Sequence, residues 1–205
     1  MGVFLEGGFG VADPRAAIGG SPQRIREGEM KVIVKVTGAL HREILDDLRR
    51  RHPFAAERVG FASGRIATLR DGGQMVLLTR YQSIPDEQYL KDPTVGARIG
   101  SEAITKAMQA AYFGRPAREG VFHVHLHGHH GKTGMSRTDQ REIPAMIPGF
   151  QSVGKQAPHG IVILSLNHGS AWVWLPDNKE PIQAVSVAVI GSPLCVFESG
   201  VSDDR

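Results

Sequence analysis

The sequence predicts an α/β fold in which a mixed central sheet is flanked by helices. Strand-like segments occur both singly and in consecutive pairs, and two segments carry the three- and four-residue apolar spacing of a helix. The repeated strand–helix alternation of a doubly wound parallel sheet is missing. With 205 residues, of which 41% are hydrophobic, the chain can bury one good-sized core.

The chain divides into a leader and one domain. Residues 1–29 hold seven of the 25 glycines and show no sustained apolar period, which is typical of a flexible leader. We therefore expect the folded domain to occupy residues 30–205.

Composition excludes several classes of protein. The single cysteine, Cys195, excludes an internal disulfide framework and a zinc cage of thiolates, and it favours a cytoplasmic protein. No apolar run approaches the roughly 18 residues that span a bilayer. The net charge of +3 is spread along the chain without a basic stripe. Neither a nucleic acid nor a membrane is therefore an expected partner.

The first predicted elements are a strand and a helix. Residues 31–36, KVIVKV, alternate charged and β-branched residues, so the three valines should line one side of a half-buried strand. Apolar residues then recur at helical spacing. This pattern predicts a helix that opens at Thr37 or Gly38 and is stopped by His52-Pro53.

A strand pair and a loop should follow. Residues 57–69 and 73–84 are rich in apolar residues, and they predict two strands that turn at Asp71-Gly72-Gly73. Residues 85–100 are too broken by proline and glycine for a regular element. We expect a long functional loop there.

The second half of the domain should add one more helix and several strands. Ser101 can cap a helix that ends at Gly114 and Pro116, and its apolar face is predicted to contain Ala103, Ile104, Ala107, Met108, Ala111 and Tyr112. The segment SRTDQREIPAM predicts a short helix or turn interrupted at Pro144. Residues 160–167 and 170–175 predict a hairpin through His168-Gly169, and residues 184–191 predict the last strand.

Histidines mark the candidate site. In VFHVHLH, residues 121–127, strict alternation places Phe122, Val124 and Leu126 on one face and His123, His125 and His127 on the other. Histidine nitrogens and a carboxylate, which Asp139 would bring from the next element, are donors that zinc accepts. Three protein ligands leave the fourth tetrahedral position for water, as in a catalytic zinc site.

Two segments carry a resemblance to a known family. The H-L-H at 125–127, eight intervening residues and the S-R-T-D at 136–139 resemble the JAMM (JAB/MPN) metallopeptidase pattern H-x-H, spacer, S-x-x-D. The segment E-R-V-G-F-A-S-G at 57–64, directly after the first helix, is similar to the family's E-x-x-G-x-x-x-G segment. The resemblance runs from about residue 31 to residue 175. It implies a cytidine-deaminase-like JAB/MPN sandwich.

The resemblance also implies roles for individual residues. Zinc would be held by His125, His127 and Asp139, Glu57 would act as the general base, and Ser136 would stabilise the oxyanion. His123 and His125 form a second H-x-H, with a ten-residue spacer. The later pair is preferred because its shorter spacer needs the smaller insertion relative to the family pattern and because it lies at the strand end. The earlier register stays open.

The function implied is hydrolysis of the bond after the C-terminal glycine of ubiquitin or a ubiquitin-like protein. The similarity is closest to bacterial JAB proteins of ubiquitin-like conjugation or sulfur-carrier systems. The implied partners are a ubiquitin-like protein and its conjugates, with the matching activating and conjugating enzymes as further candidates. The alternatives are a processing peptidase for a sulfur carrier and a non-catalytic MPN-type scaffold.

Overall fold

The computed structural model describes residues 30–51, 56–92, 96–113, 119–176 and 178–199, and the expected leader at residues 1–29 lies outside them. Nine strands and three helices lie in the described residues. The strands are β1 (Val32–Thr37), β2 (Val59–Thr68), β3 (Gln74–Ser83), β4 (Gly120–Leu126), β5 (His159–Leu164), β6 (Gly169–Trp174), β7 (Ile182–Gln183), β8 (Ser186–Ile190) and β9 (Cys195–Glu198). The helices are α1 (Gly38–Leu48), α2 (Ser101–Phe113) and α3 (Arg137–Val153).

The strands form one mixed sheet in the order β7-β6-β5-β4-β2-β3-β1-β8-β9. Strand β1 runs parallel to β3 and to β8, and β4 runs parallel to β5. The other neighbouring pairs are antiparallel. The predicted α/β class with a mixed sheet is therefore confirmed.

Helices cover both faces of the sheet. Leu40, Ile44 and Leu48 of α1 pack with one face, where the buried residues of β1 also lie. Helices α2 and α3 cover the opposite face, and α3 contributes Ile143 and Phe150 to a second hydrophobic cluster there. Apolar side chains are therefore buried on both faces of the sheet, in two hydrophobic clusters, and burial on each face stabilises the fold.

The sheet curls around the core that contains α1. Strand β6 contacts β8 and β9, although β5, β4, β2, β3 and β1 separate β6 from β8 in the sheet order. Gly169, the first residue of β6, has room for this approach because it lacks a side chain. A Cβ atom there would lie 3.3 Å from the Phe197 ring and 3.7 Å from Val187 Cβ.

The first predicted elements are confirmed. The three valines of β1, Val32, Val34 and Val36, are all buried on the α1 side. Thr37 caps α1, because its hydroxyl oxygen accepts a hydrogen bond from the Leu40 N–H at 3.2 Å. The predicted turn joins β2 to β3, with Gly72 at φ +83° and the Gly73 N–H donating to Asp71 Oδ1. The predicted stop at His52-Pro53 lies outside the described residues, and α1 ends at Leu48.

The prediction of a short element interrupted at Pro144 is wrong. Helix α3 has 17 residues and continues through both Pro144 and Pro148. Its buried stripe of Ile143, Ile147 and Phe150 and its N-terminal capping box outweigh the hydrogen bonds that the prolines cannot make. None of the described helices is both long enough and apolar enough to cross a bilayer.

Three further expectations need correction or refinement. Residues 184–191 do not form the last strand, because the four-residue β9 follows and pairs with β8. Tyr112 is 46% exposed and so lies outside the buried face of α2, one residue before the helix ends at Phe113. In the described part of residues 85–100 there are a 3-10 turn at Asp86–Gln88 and a bridge between Tyr89 and Ile99. The expected end of α2 at Gly114 lies outside the described residues.

Replacing Pro144 with alanine should stabilise the protein. Alanine restores an N–H that can donate to the Gln140 carbonyl, and part of this gain is offset because proline also restricts the unfolded chain. We expect the free energy of unfolding to rise by about 1–2 kcal/mol and the melting temperature by about 2–6 °C. Pro85→Ala is the control: Pro85 lies in a loop at φ −60°, where alanine should give no gain. Thermal denaturation showing the same change for both variants would contradict the explanation.

Candidate metal centre

Strand β4 positions the histidines. All seven of its residues are buried, so both faces of the strand are covered. Phe122, Val124 and Leu126 face the α1 core, as the alternation predicts. His123 lies on the opposite face, with its ring 5.8 Å from the Phe61 ring of the second cluster.

His125 and His127 bring their ring nitrogens together at the end of β4. The two Nε2 atoms are 3.1 Å apart. His127 lies just beyond the strand, where its backbone N–H donates to the Leu164 carbonyl at 2.8 Å. Burial lowers the pKa of His125 to about 3 and also lowers that of His127. Both rings are therefore neutral at pH 7, and neutral imidazole is the form that binds a metal.

Glu57 completes the tightest group of possible ligands. One donor atom from each of Glu57, His125 and His127 lies within 4.8 Å of the others, and no further such group occurs among the described residues. Burial raises the pKa of Glu57 to about 7, and the negative charge of Asp139 acts in the same direction. A carboxyl with this pKa can both accept and release a proton near neutral pH.

Asp139 and Ser136 lie at the first turn of α3. The Asp139 N–H donates to Ser136 Oγ at 3.1 Å, and the Ser136 N–H donates to Asp139 Oδ2 at 2.8 Å. These two bonds form a capping box at the start of α3. Asp139 Oδ2 also lies 3.7 Å from His125 Nε2. The cap thus directs one carboxylate oxygen of Asp139 toward the histidines.

The structure brings three of the five predicted site residues, Glu57, His125 and His127, into one group of possible ligands. Asp139, predicted as the third ligand, lies outside that group, although its Oδ2 is 3.7 Å from His125 Nε2. Ser136 is hydrogen-bonded to Asp139 at the start of α3. His123 is 8% exposed and packs beside Phe61 and His125, and burial lowers its pKa to about 3. The roles of these residues remain predictions.

Three residues around Glu57 were missed from the sequence. The Glu57 N–H donates to the Gly96 carbonyl at 2.9 Å. Arg58, only 2% exposed, donates to Asp86, and the Tyr89 hydroxyl bonds the backbone of Val59. The sequence did carry a signal for one of these residues. Arg58 directly precedes the predicted buried strand, and an arginine that is buried there requires a partner for its charge.

Comparison with known proteins adds no family. No family model and no curated protein match the chain. Among solved structures it is similar to the STIL N-terminal domain of Trichoplax adhaerens, with a TM-score of 0.31 and 10% sequence identity. The match covers 69% of this chain and 41% of that chain. Similarity at this level supports no functional argument.

Proposed function

We propose that this chain is a zinc-dependent peptidase of the JAMM type, built on a JAB/MPN-like variant of its α/β fold. The observation that supports the proposal most strongly is the convergence of Glu57, His125 and His127 within 4.8 Å, with Asp139 beside them. These are the residues that the H-x-H, S-x-x-D and E-x-x-G resemblance assigns to zinc and to the general base. They come from β4, from α3 and from the segment before β2, so folding is required to assemble them.

The donor set fits zinc. Neutral imidazole nitrogens and a carboxylate oxygen are ligands that zinc accepts, and His125, His127 and Asp139 would supply three of them. A zinc ion held there would supply Lewis acidity toward a carbonyl oxygen and a water molecule of lowered pKa. The 3.1 Å separation of the histidine nitrogens is short enough for both to reach a single ion.

Glu57 is proposed as the general base. Its raised pKa, about 7, suits a group that takes a proton from water and returns it to the departing amine. Ser136 accepts the Asp139 N–H through its oxygen, so the hydroxyl proton can donate to the developing oxyanion.

The proposed substrate is the bond after the C-terminal glycine of a ubiquitin-like protein, either in a conjugate or in a precursor. This part of the proposal follows from the resemblance, as do the expected activating and conjugating enzymes. The proposed cytoplasmic setting follows from the single cysteine. A sulfur-carrier precursor would use the same chemistry at the same site. A non-catalytic scaffold would not require the metal ligands and the base to converge.

The proposal predicts about one tightly held zinc per chain. Metal analysis after extensive dialysis should find it, and a panel of ubiquitin-like precursors and conjugates should include one that is cleaved after its terminal glycine. A chelator should abolish cleavage, and added zinc should restore it. Protein that neither retains zinc nor takes it up would exclude the metallopeptidase, whereas zinc with no cleavage would favour the scaffold.

A further inference from the structure

The segment around Glu57 is held by the loop that follows β3. We call residues 85–92 and 96–100 the docking loop. Tyr89 and Ile99 form a bridge within it, and the Leu90 N–H donates to the Arg98 carbonyl at 2.8 Å. These bonds join the two arms of the docking loop, so the arms form one unit where they meet Glu57.

Tyr89 bonds the first residue of β2. Its hydroxyl donates to the Val59 carbonyl at 2.9 Å and accepts the Val59 N–H at 3.0 Å. The pairing of β2 with β3 begins one residue later, between Gly60 and Ser83. The phenol thus satisfies backbone groups that β3 does not reach, two residues after Glu57.

Arg58 makes further contacts that hold the same segment. Its guanidinium donates to the Arg50 carbonyl and to Asp86 Oδ1, each at 2.7 Å, and stacks over the Tyr89 ring at 5.8 Å. This side chain links the end of α1 to the docking loop. Glu57 lies directly before Arg58, so its backbone has little freedom to move.

Gly96 contacts the Glu57 carboxylate itself. The Gly96 carbonyl accepts the Glu57 N–H at 2.9 Å. A Cβ atom on Gly96 would lie 2.3 Å from Glu57 Oε1 and 3.0 Å from its Cδ, so any side chain at this position must displace the carboxylate. Gly100, in the same loop, is different: the closest atom to its Cβ would be the Gln88 carbonyl oxygen at 3.5 Å, an ordinary contact.

We propose that Gly96 and Tyr89 are positioning residues that hold the Glu57 carboxylate toward His125 and His127. The inference rests on the proposed function, because it assigns these two residues of the docking loop to the alignment of that reaction's general base. Gly96 would act through the space it leaves for the carboxylate. Tyr89 would act through the backbone of Val59.

The test is a double-mutant cycle on the purified protein with its metal. Gly96→Ala should lower kcat by at least about tenfold with KM and zinc content unchanged, and lower the melting temperature by about 5 °C. In a Glu57→Ala background the same change should alter kcat by less than about twofold. It should alter the melting temperature by less than about 1 °C. Gly100→Ala should have little effect in either background. Tyr89→Phe should repeat the coupled loss of kcat if Gly96→Ala folds poorly.

The two arms separate the inference from the function on which it rests. The melting-temperature cycle needs no substrate, and equal losses in both backgrounds would show that Gly96 does not act through Glu57, which overturns the inference. A zinc-loaded wild-type protein that cleaves no substrate, with the thermal coupling intact, would instead reject the proposed function and with it the catalytic role of Gly96 and Tyr89. Coupled losses in both measurements support the proposal.

Discussion

Glu57→Gln is expected to retain zinc and the fold while lowering kcat by at least about a hundredfold. Glutamine keeps the shape of the side chain beside Gly96 but cannot take a proton from water. General-base catalysis raises the rate by a factor of about 10²–10⁴. Steady-state kinetics on a validated substrate, with zinc content measured on the same sample, checks this. Glu87→Gln, at an exposed glutamate on the 3-10 turn, is the matched control and should leave kcat unchanged.

Two results would change the interpretation of Glu57. Hydrolysis by Glu57→Gln at the wild-type rate would remove its role as base, even if zinc remained bound. Loss of zinc from the variant would make Glu57 a ligand, because it belongs to the tightest group of donor atoms together with His125 and His127. The site would then have two histidines and a glutamate, which is also a known arrangement for catalytic zinc.

His125→Ala should bind zinc at least about a hundredfold more weakly than the wild type, since even the loss of a residue that supports a ligand costs about 10–100-fold. His123→Leu should keep its zinc. Its ring packs against Phe61 in the second cluster, and its Nδ1 makes no hydrogen bond within the described residues, so an apolar replacement loses little. Competition with a chelator of known affinity measures both variants.

This pair of variants decides the ligand register. The sequence leaves two H-x-H pairs open, and both include His125, so His125→Ala should fail in either register. His123→Leu distinguishes them. If it loses zinc while its melting temperature stays near the wild-type value, the ligands are His123 and His125, and His127 is only a neighbour.

Local patterns predicted the elements whose geometry depends on residues that are close together in the chain. The alternation in β1 and β4 fixed which side chains face each core, and Thr37 marked the start of α1. The turn at Gly72 needed a positive φ, which glycine provides. Each of these signals lies within a few residues of its consequence.

Tertiary contacts decided the elements that were missed. Pro144 predicts a break, but burial of Ile143 and Phe150 keeps α3 helical. The four residues of β9 are too few to show a period, and pairing with β8 defines them as a strand. Within the candidate site, the resemblance pointed to Glu57, His125 and His127, which the structure brings together. The contact between Gly96 and Glu57 joins residues 39 positions apart and leaves no local trace.

The curled sheet ends in strands that offer little backbone for pairing with another chain. Strand β7 has two residues and β9 has four, and they lie at the two ends of the sheet order. Leu194, directly before β9, is 65% exposed and Val196, within β9, is 50% exposed, so polar side chains do not protect that edge. Short length does, because a row of unpaired backbone groups must be long to template aggregation. In the described part of the chain, the end strands of the sheet therefore expose few backbone groups that another chain could pair with.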